Sequence, residues 1–271
     1  MNKNKYLIKP DIDNSDLTRT IKGINEKKQK IYTKVIHEKP LTIFLNNQEI
    51  VTLMSIVDHP EYLAIGYLLN QNMIKVKDKI KKIEYEEELE TIVIRTNRTT
   101  NYEKKLRKKI TTSGCAQGTV FGDIYDEIKK TKIISNNKIK HSWIYELSKK
   151  ITLTPSLYLE AGAVHGCVLC KKNKPLIYME DVGRHNAVDK ISGYMYLNNI
   201  NANDKIFYTT GRLTSEMVIK TVKMGIPILI SRSGFTSWGV ELAQKTNLTL
   251  IGRAKGKKYS VLSGMQRLIN Q

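Results

Sequence analysis

The spacing of apolar and polar residues changes near residue 36. Residues 1–36 are rich in lysine and have no regular apolar spacing, which predicts a flexible basic arm. From Leu41, the segment LTIFLNNQEIVTLM has apolar runs on both sides of Asn46-Asn47, a pattern typical of a β-hairpin. Pro60 opens the run EYLAIGYLLNQN, whose spacing predicts a helix, and KIKKIEYEEELETIVIRTN indicates two further strands.

Strand and helix patterns alternate through the second half of the chain. A polar, helix-like stretch from about Ser142 to Ile151 marks the predicted boundary between the halves. Strand patterns follow in HGCVLC, PLIYMEDV, KIFYTTG, IPILISRSG and LTLIGRA, and helix patterns in RHNAVDKISGYMYLNN, LTSEMVIKTVKMG and TSWGVELAQKTN. Strands that alternate with helices of roughly 10 to 14 residues predict an α/β sheet with helices packed on it.

Length and composition exclude several classes of protein. The chain has 271 residues, of which 41% are hydrophobic and 26% are charged, as in ordinary globular proteins of one large or two small domains. These values exclude a fibrous, collagen-like or mostly disordered chain. No apolar run approaches the roughly 18 to 20 residues of a membrane-spanning helix, and the first residues lack the apolar stretch of a secretion signal. Three cysteines are too few for a disulfide framework, so we expect a cytoplasmic protein with reduced thiols.

The charge balance is the unusual feature of the composition. The chain has 45 Lys and Arg against 26 Asp and Glu, a formal net charge of +19. One interpretation is an anionic partner such as a nucleic acid, a nucleotide or a phosphorylated cofactor. The other is compositional, because the chain is rich in Lys, Asn and Ile together and many lysines are then plain surface residues. A nucleic-acid-binding protein is disfavoured, since aromatic residues make up only 7% and no recognition motif is present.

Cysteine and histidine supply the first candidates for chemistry. Cys115 lies in TTSGCAQGTVFG, a predicted loop of small residues that would present a thiolate to a partner; alternatively it is a small residue without function. His165, Cys167 and Cys170 offer three soft metal ligands within six residues. No fourth ligand of matching spacing accompanies them, and His165 is not followed by the x-Glu of the zinc-dependent nucleobase deaminases. We therefore predict no metal site, with Cys167 and Cys170 as buried small residues.

Four polar segments follow predicted strands. They are EDVGRHN at Glu180–Asn186, TGRLTSE at Thr210–Glu216, SRSG at Ser231–Gly234 and RAKGKK at Arg253–Lys258. Because the ends of neighbouring parallel strands meet at one edge of a sheet, we expect the basic and hydroxyl-bearing turns to converge there and to bind a large anionic, nucleotide-like ligand. The alternative is that these residues only cap helices and form charged hairpins.

Two long stretches of the second half contain these segments: EDVGRHNAVDKISG and the run from TTGRLTSEMVIKTVKMG to GRAKGKKYSV. Both resemble the FdhD family, the accessory sulfurtransferases of formate dehydrogenase. LTIFLNNQEIVTLM, EYLAIGYLLNQNMI and AGAVHGCVLC also match that family, so the resemblance covers roughly Leu41 to Ser260. Together with the patterns above, it predicts an α/β (α+β) protein in three segments. These are a flexible basic arm (1–36), a smaller N-terminal α+β part with the Cys115 loop (37–141) and a cytidine deaminase-like three-layer domain of sheet and helices (142–271).

The resemblance implies a sulfurtransferase. Members of the family take sulfur from a cysteine desulfurase as a persulfide and pass it to the molybdenum bis(molybdopterin guanine dinucleotide) cofactor, or its tungsten form. This cofactor is their substrate before it is inserted into formate dehydrogenase. By its position in TTSGCAQG, Cys115 would carry the persulfide, and the resemblance also implies a homodimer. The alternative function is a non-catalytic carrier of the molybdenum cofactor, in which Cys115 plays no part.

The family's nucleotide-binding segment falls on the last basic turn, and the other turns add further candidates. The residues expected to bind the cofactor are Arg253, Ala254, Lys255, Gly256, Lys257, Lys258, Arg184, His185, Arg212 and Ser231. Glu180 and Asp181 are expected to shape the same pocket. Many members of the family have Cys-x-x-Cys in the loop, whereas this chain has only Cys115 there. One hypothesis is that Cys167 or Cys170 replaces the missing thiol.

Overall fold

The N-terminal part of the chain consists of strands around one helix. The computed structural model of the chain describes residues 6–97, 109–111 and 119–270. Its first elements are β1 (Thr18–Ile24), β2 (Lys30–Ile36), β3 (Lys39–Leu45), β4 (Gln48–Ser55), α1 (Pro60–Asn70), β5 (Ile80–Glu86) and β6 (Thr91–Thr96). Four of these strands form a sheet in the order β4-β3-β6-β5, and α1 packs against it. The hairpin around Asn46-Asn47, the helix from Pro60 and the later strand pair are thus confirmed.

Residues 18–36 of the predicted flexible basic arm form two paired strands. β1 and β2 pair along their whole length as an antiparallel hairpin, closed by a turn in which Asn25 Oδ1 accepts from the N–H groups of Lys27 and Gln29 (both 3.0 Å). Most side chains on both faces of this hairpin are exposed, so its sequence has no alternation of buried and exposed residues to reveal a strand. The buried Leu17 and the half-buried Ile36 anchor it to the rest of the protein.

Strands and helices alternate from residue 174 to residue 255, as the sequence predicts. After β7 (Lys109–Thr111) and β8 (Thr119–Phe121) come α2 (Gly122–Lys130), β9 (Ile139–Lys140), α3 (His141–Thr152), α4 (Leu157–Ala161), β10 (His165–Lys171), β11 (Lys174–Asp181), α5 (Arg184–Leu197), β12 (Lys205–Thr209), α6 (Ser215–Lys223), β13 (Ile228–Ser231), α7 (Ser237–Thr246), β14 (Thr249–Lys255), β15 (Lys258–Ser263) and β16 (Leu268–Ile269). The mixed α/β class is confirmed, whereas the likeness to cytidine deaminases and the domain boundaries stay predictions. No helix in the described ranges is long and apolar enough to cross a membrane.

A six-stranded sheet with helices on both faces forms the centre of the second half. The strand order is β11-β10-β12-β13-β14-β15, with β12, β13 and β14 parallel and the other pairs antiparallel. On one face, Val168, Cys170 and Tyr208 belong to the core beneath α3. On the other face, Cys167 and Phe207 belong to the core that includes α5, α6 and α7. That second core continues without a break into α1 and the four-stranded sheet.

Two glycines let α1 and α5 cross in backbone contact. A Cβ atom on Gly66 would overlap the carbonyl oxygen of Asp189, and one on Gly193 would overlap the carbonyl oxygen of Tyr62. Each glycine therefore faces the backbone of the other helix, with no side chain between them. This crossing joins the two halves of the chain.

We expect Gly193→Ala to lower the free energy of unfolding by about 1–3 kcal/mol, because the added methyl group forces the two helices apart. Urea denaturation followed by circular dichroism measures this change. Gly234→Ala is the control, since a Cβ there would meet no atom within 4 Å. Equal denaturation midpoints for the two variants would contradict the close crossing.

Candidate functional site

One edge of the six-stranded sheet collects the polar turns. β11, β12, β13 and β14 end at this edge, and β10 begins there. The strand pairing places His165 opposite Asp181 and Thr209 beside Ser231. We call the turns His165–Gly166, Asp181–Arg184, Thr209–Arg212 and Ser231–Ser233 the carboxyl edge. Of the basic and hydroxyl-bearing turns predicted to converge, those after β12 and β13 belong to this edge, and the one after β14 lies at the same end of the parallel strands.

Hydrogen bonds hold the turns of the carboxyl edge against each other. The N–H of Gly166 donates to Thr210 Oγ1 (3.0 Å), and the N–H of Thr210 donates to the carbonyl of Gly166 (2.9 Å). The Ser231 hydroxyl donates to the carbonyl of Gly211 (2.6 Å). Ser231 is fully buried, and its hydroxyl positions the neighbouring turn. Its role in binding the cofactor stays a prediction.

Three arginines surround His165 at the carboxyl edge. Arg184 is almost fully buried and lies against the backbone at Gly211, where an added Cβ would come within 3.0 Å of Arg184 Cδ. Arg212 is exposed, and the Arg232 guanidinium lies 4.8 Å above the ring of Tyr158. Burial, followed by the charges of Arg184, Arg232, His185 and Arg212, holds the pKa of His165 below its ordinary value. The edge thus combines a neutral imidazole with concentrated positive charge, which suits an anion.

His165 is missing from the turns that the sequence predicts to bind an anionic ligand, whereas Arg232 lies in the predicted SRSG turn but is not among the residues named for the cofactor. Each stands where a strand of the sheet begins or ends, as the predicted Arg212 does. Their position in the strand pattern is the signal that would have included them. The turns that carry Arg184 and Arg212 both belong to the carboxyl edge, so these two predicted residues lie at the same end of the sheet.

His185, the neighbour of Arg184, is engaged with α6. Its Nε2 lies 2.9 Å from Glu216 Oε2, and both side chains are nearly inaccessible. Burial lowers the pKa of His185, although the hydrogen bond to Glu216 opposes this effect. The buried Glu216 carboxylate of α6 therefore positions the His185 imidazole, which lies in the first turn of α5.

Glu180 is a helix cap. Its carboxylate accepts from the N–H groups of Leu157 (2.7 Å) and Tyr158 (3.3 Å) at the start of α4. Burial is the main cause that raises the pKa of Glu180, to about 6. These backbone partners hold the carboxylate inside the protein. The expectation that Glu180 shapes the cofactor pocket stays a prediction.

Asp181 is also turned inward, where it joins a buried ion network. Lys190 Nζ lies 2.5 Å from Asp181 Oδ2 and 2.5 Å from Asp58 Oδ1. The hydroxyl of Ser55 donates to Asp181 Oδ2 (2.6 Å), and Asn186 Nδ2 donates to Asp181 Oδ1 (3.1 Å). Ser55 and Asp58 belong to the N-terminal half, so Asp181 joins the two halves. The expectation that Asp181 shapes the cofactor pocket stays a prediction.

Cys167 and Cys170 face opposite sides of the sheet. Cys167 lies in the core with α5 and Cys170 in the core beneath α3, so the two sulfurs do not face a common metal position. Both thiols are fully buried, and burial raises the pKa of Cys167 to about 12 and that of Cys170 further. A buried, protonated thiol is a poor nucleophile, which disfavours either cysteine as the missing partner of Cys115.

The predicted nucleotide-binding segment is the turn that joins β14 and β15. Gly256 adopts a positive φ of 57° in this two-residue turn, and the N–H of Arg253 donates to the carbonyl of Ser233 (2.8 Å), so the turn adjoins the carboxyl edge. The Ala254 side chain is buried beneath α3. The exposed cations of the segment are Arg253, Lys255, Lys257 and Lys258. We call Arg253–Lys258 the basic turn.

Cys115 lies outside the described residues. Its segment, residues 112–118, connects the antiparallel strands β7 and β8 along the chain. The prediction of a loop around Cys115 therefore stays a prediction.

We expect Lys190→Met to cost about 3–5 kcal/mol of unfolding free energy at pH 7, because the buried carboxylate of Asp181 and the half-buried carboxylate of Asp58 lose their counter-ion. Burial alone would lower the pKa of Lys190, but Asp181 and Asp58 outweigh this effect and raise the pKa. The stability that the Lys190 ammonium gives to the folded wild type is therefore present at pH 7 and is lost only when the pH rises above that raised pKa. Urea denaturation at pH 7 tests this, with the exposed Lys22→Met as control. A deficit no larger than that of Lys22→Met would contradict the ion network.

Comparisons with known proteins agree on one family. The model of the FdhD/NarQ family matches residues 36–269. The sulfur carrier protein FdhD of Bacillus pumilus is 31% identical over 236 residues, covering 87% of this chain and 90% of the relative. That of Bacillus subtilis is 31% identical over 240 residues, covering 88% and 92%.

A solved structure shows the same fold. The crystal structure of a formate dehydrogenase accessory protein from Desulfotalea psychrophila matches with a TM-score of 0.75 and 26% identity, covering 93% of this chain and 100% of that chain. The family match extends over the carboxyl edge, the basic turn, the ion network and the segment with Cys115. The chain therefore belongs to the FdhD/NarQ family.

Proposed function

We propose that this chain is a sulfur carrier that accepts sulfur on Cys115 from a cysteine desulfurase and transfers it to the molybdenum bis(molybdopterin guanine dinucleotide) cofactor, which it binds as substrate. The transfer would take place before the cofactor enters formate dehydrogenase. Relatives named sulfur carrier proteins and a structure named a formate dehydrogenase accessory protein support this role. The observation that carries the proposal is the concentration of arginine around His165, next to the basic turn.

The cations divide into two groups that suit different parts of such a substrate. The basic turn exposes four cations and would bind pyrophosphate oxygens. Arg184, Arg212 and Arg232 would stabilise the negative charge of the sulfur-bearing centre and of an approaching persulfide anion. The neutral His165 beside them would donate or accept one hydrogen bond without adding charge.

Cys115 would take up sulfur by nucleophilic exchange. Its thiolate attacks the outer sulfur of the desulfurase persulfide, a new S–S bond forms on Cys115, and the desulfurase cysteine leaves as a thiolate. The terminal sulfur of the new persulfide ionises more readily than a thiol and is nucleophilic at neutral pH. No second cysteine lies in the loop segment, so one thiol would accept and release the sulfur.

We expect Cys115→Ala to abolish sulfur uptake, because the accepting thiolate is lost. The measurement is intact-protein mass spectrometry after incubation with a cysteine desulfurase and cysteine. The wild type should gain the mass of one sulfur atom, removable by a reductant, and Cys115→Ala and Cys115→Ser should gain none.

Two other outcomes would change the proposal. The same adduct on the Cys115 variants would move the chemistry to Cys167 or Cys170, although both are buried. No adduct on any variant, together with full maturation of formate dehydrogenase by Cys115→Ala, would favour the non-catalytic cofactor carrier.

We expect Arg232→Gln to separate sulfur uptake from delivery. Loss of one charge-assisted contact to an anionic substrate, worth about 1.5–3 kcal/mol, should lower maturation of formate dehydrogenase about tenfold or more. Sulfur loading of Cys115 should stay at the wild-type level. The control is Lys22→Gln, on the β1–β2 hairpin, which should leave both steps unchanged. Normal maturation by Arg232→Gln would exclude the carboxyl edge as the delivery site.

A further inference from the structure

An open depression of about 800 Å³ lies beside the basic turn, and aromatic rings form part of its wall. It is lined by Arg253, Lys255, Lys257, Lys258, Ser260, Tyr145 and Tyr259. Tyr259 directly follows the turn on β15, while Tyr145 comes from α3, more than a hundred residues earlier in the chain. The cations would bind phosphates by themselves, so the two tyrosines need a separate explanation.

We propose that Tyr145 and Tyr259 form the surface on which the base of a bound nucleotide stacks while the basic turn binds its phosphates. This inference rests on the proposed function, in which the substrate carries nucleotide groups, and it adds a base subsite made of two residues outside the basic turn. Aromatic side chains are the usual partners of nucleobases, because every base has a flat π face.

The two tyrosine rings are held as a pair. Their ring centroids lie 5.7 Å apart, and the ring planes are tilted by 48°. The ring centroid of His141, at the start of α3, lies 5.7 Å from that of Tyr259. The Tyr259 hydroxyl and His141 Nδ1 share a hydrogen bond. Burial and the neighbouring Tyr145 raise the pKa of Tyr259 to about 12, so no phenolate repels a phosphate.

The helix that carries Tyr145 is fixed to the basic turn. The Ser148 hydroxyl donates to the carbonyl of Ala254 (3.2 Å), and Ala254 is buried beneath the same helix. Tyr145 lies about one helical turn before Ser148, so its distance from the turn is set by this contact. The contact between α3 and the basic turn therefore fixes the aromatic surface relative to the cations that would bind phosphate.

Partial exposure separates this pair from ordinary core aromatics. Tyr145 and Tyr259 are both half-buried, whereas Phe207 and Tyr208 in the sheet are fully buried. The exposed ring area faces a depression whose remaining side chains are mostly cationic. A ligand that fits both chemistries has a flat ring joined to phosphates, whereas pyrophosphate alone would use only the cations.

The test compares GDP with inorganic pyrophosphate as titrants of the full-length protein in calorimetry. Tyr145→Leu keeps an apolar side chain of similar length but removes the ring, and Tyr145→Phe keeps the ring. We expect Tyr145→Leu to weaken GDP binding about tenfold and to leave pyrophosphate binding unchanged. Tyr145→Phe should bind both like the wild type, and Lys257→Gln should weaken both.

The outcomes decide the inference without depending on sulfur chemistry. Wild-type GDP affinity in Tyr145→Leu, or equal weakening of GDP and pyrophosphate, would overturn the base subsite. Equal affinity of the wild type for GDP and pyrophosphate would also overturn it, because the base then contributes nothing. Sulfur loading of Cys115 tests the proposed function separately, and it should be normal in Tyr145→Leu. Thermal melts of each variant establish that it is folded.

Discussion

The relation between the two halves of the protein depends on the buried ammonium of Lys190. It binds Asp181 at the end of β11, Asp58 before α1 and the carbonyl of Glu180. Leaving a buried charge without its partner costs several kcal/mol, so neither half can keep these groups inside without the other. The preceding residue, Asp189, repeats the arrangement with Lys220 of α6 at 2.6 Å. These ionic contacts and the glycine crossing make α5 the element that positions both the core and the carboxyl edge.

Much of the fold follows from local pattern, but the direction of the polar side chains does not. The strands and helices of the second half have clear apolar periods, and the convergence of their turns follows from parallel strand order. Glu180 and Asp181 stand in the same turn as Arg184, and no spacing rule separates inward from outward residues there. One partner that holds Asp181 inward, Ser55, is 126 residues away in the chain. Such contacts exist only after the halves have packed together.

The β1–β2 hairpin and the net charge are two further features whose structural meaning local sequence pattern does not show. The hairpin buries little on either face, so hydrophobic periodicity, which reports burial, gave no sign of it. The charge of +19 did not reveal where the cations matter. Many lysines, such as Lys81 and Lys82 on β5, are exposed and distant in sequence from the candidate site. The arginines at the carboxyl edge are distinguished by position after a strand, a criterion that depends on topology and not on composition.

The contact between α1 and α5 also has a mechanical consequence. Gly193 and Arg184 belong to the same helix and are separated by nine residues, or about 13 Å at the usual helical rise. Backbone meets backbone at Gly193, so α1 and α5 cannot move closer together there by repacking a side chain. The distance of Arg184 from this crossing is therefore set by the helix backbone and does not depend on how side chains pack in the core.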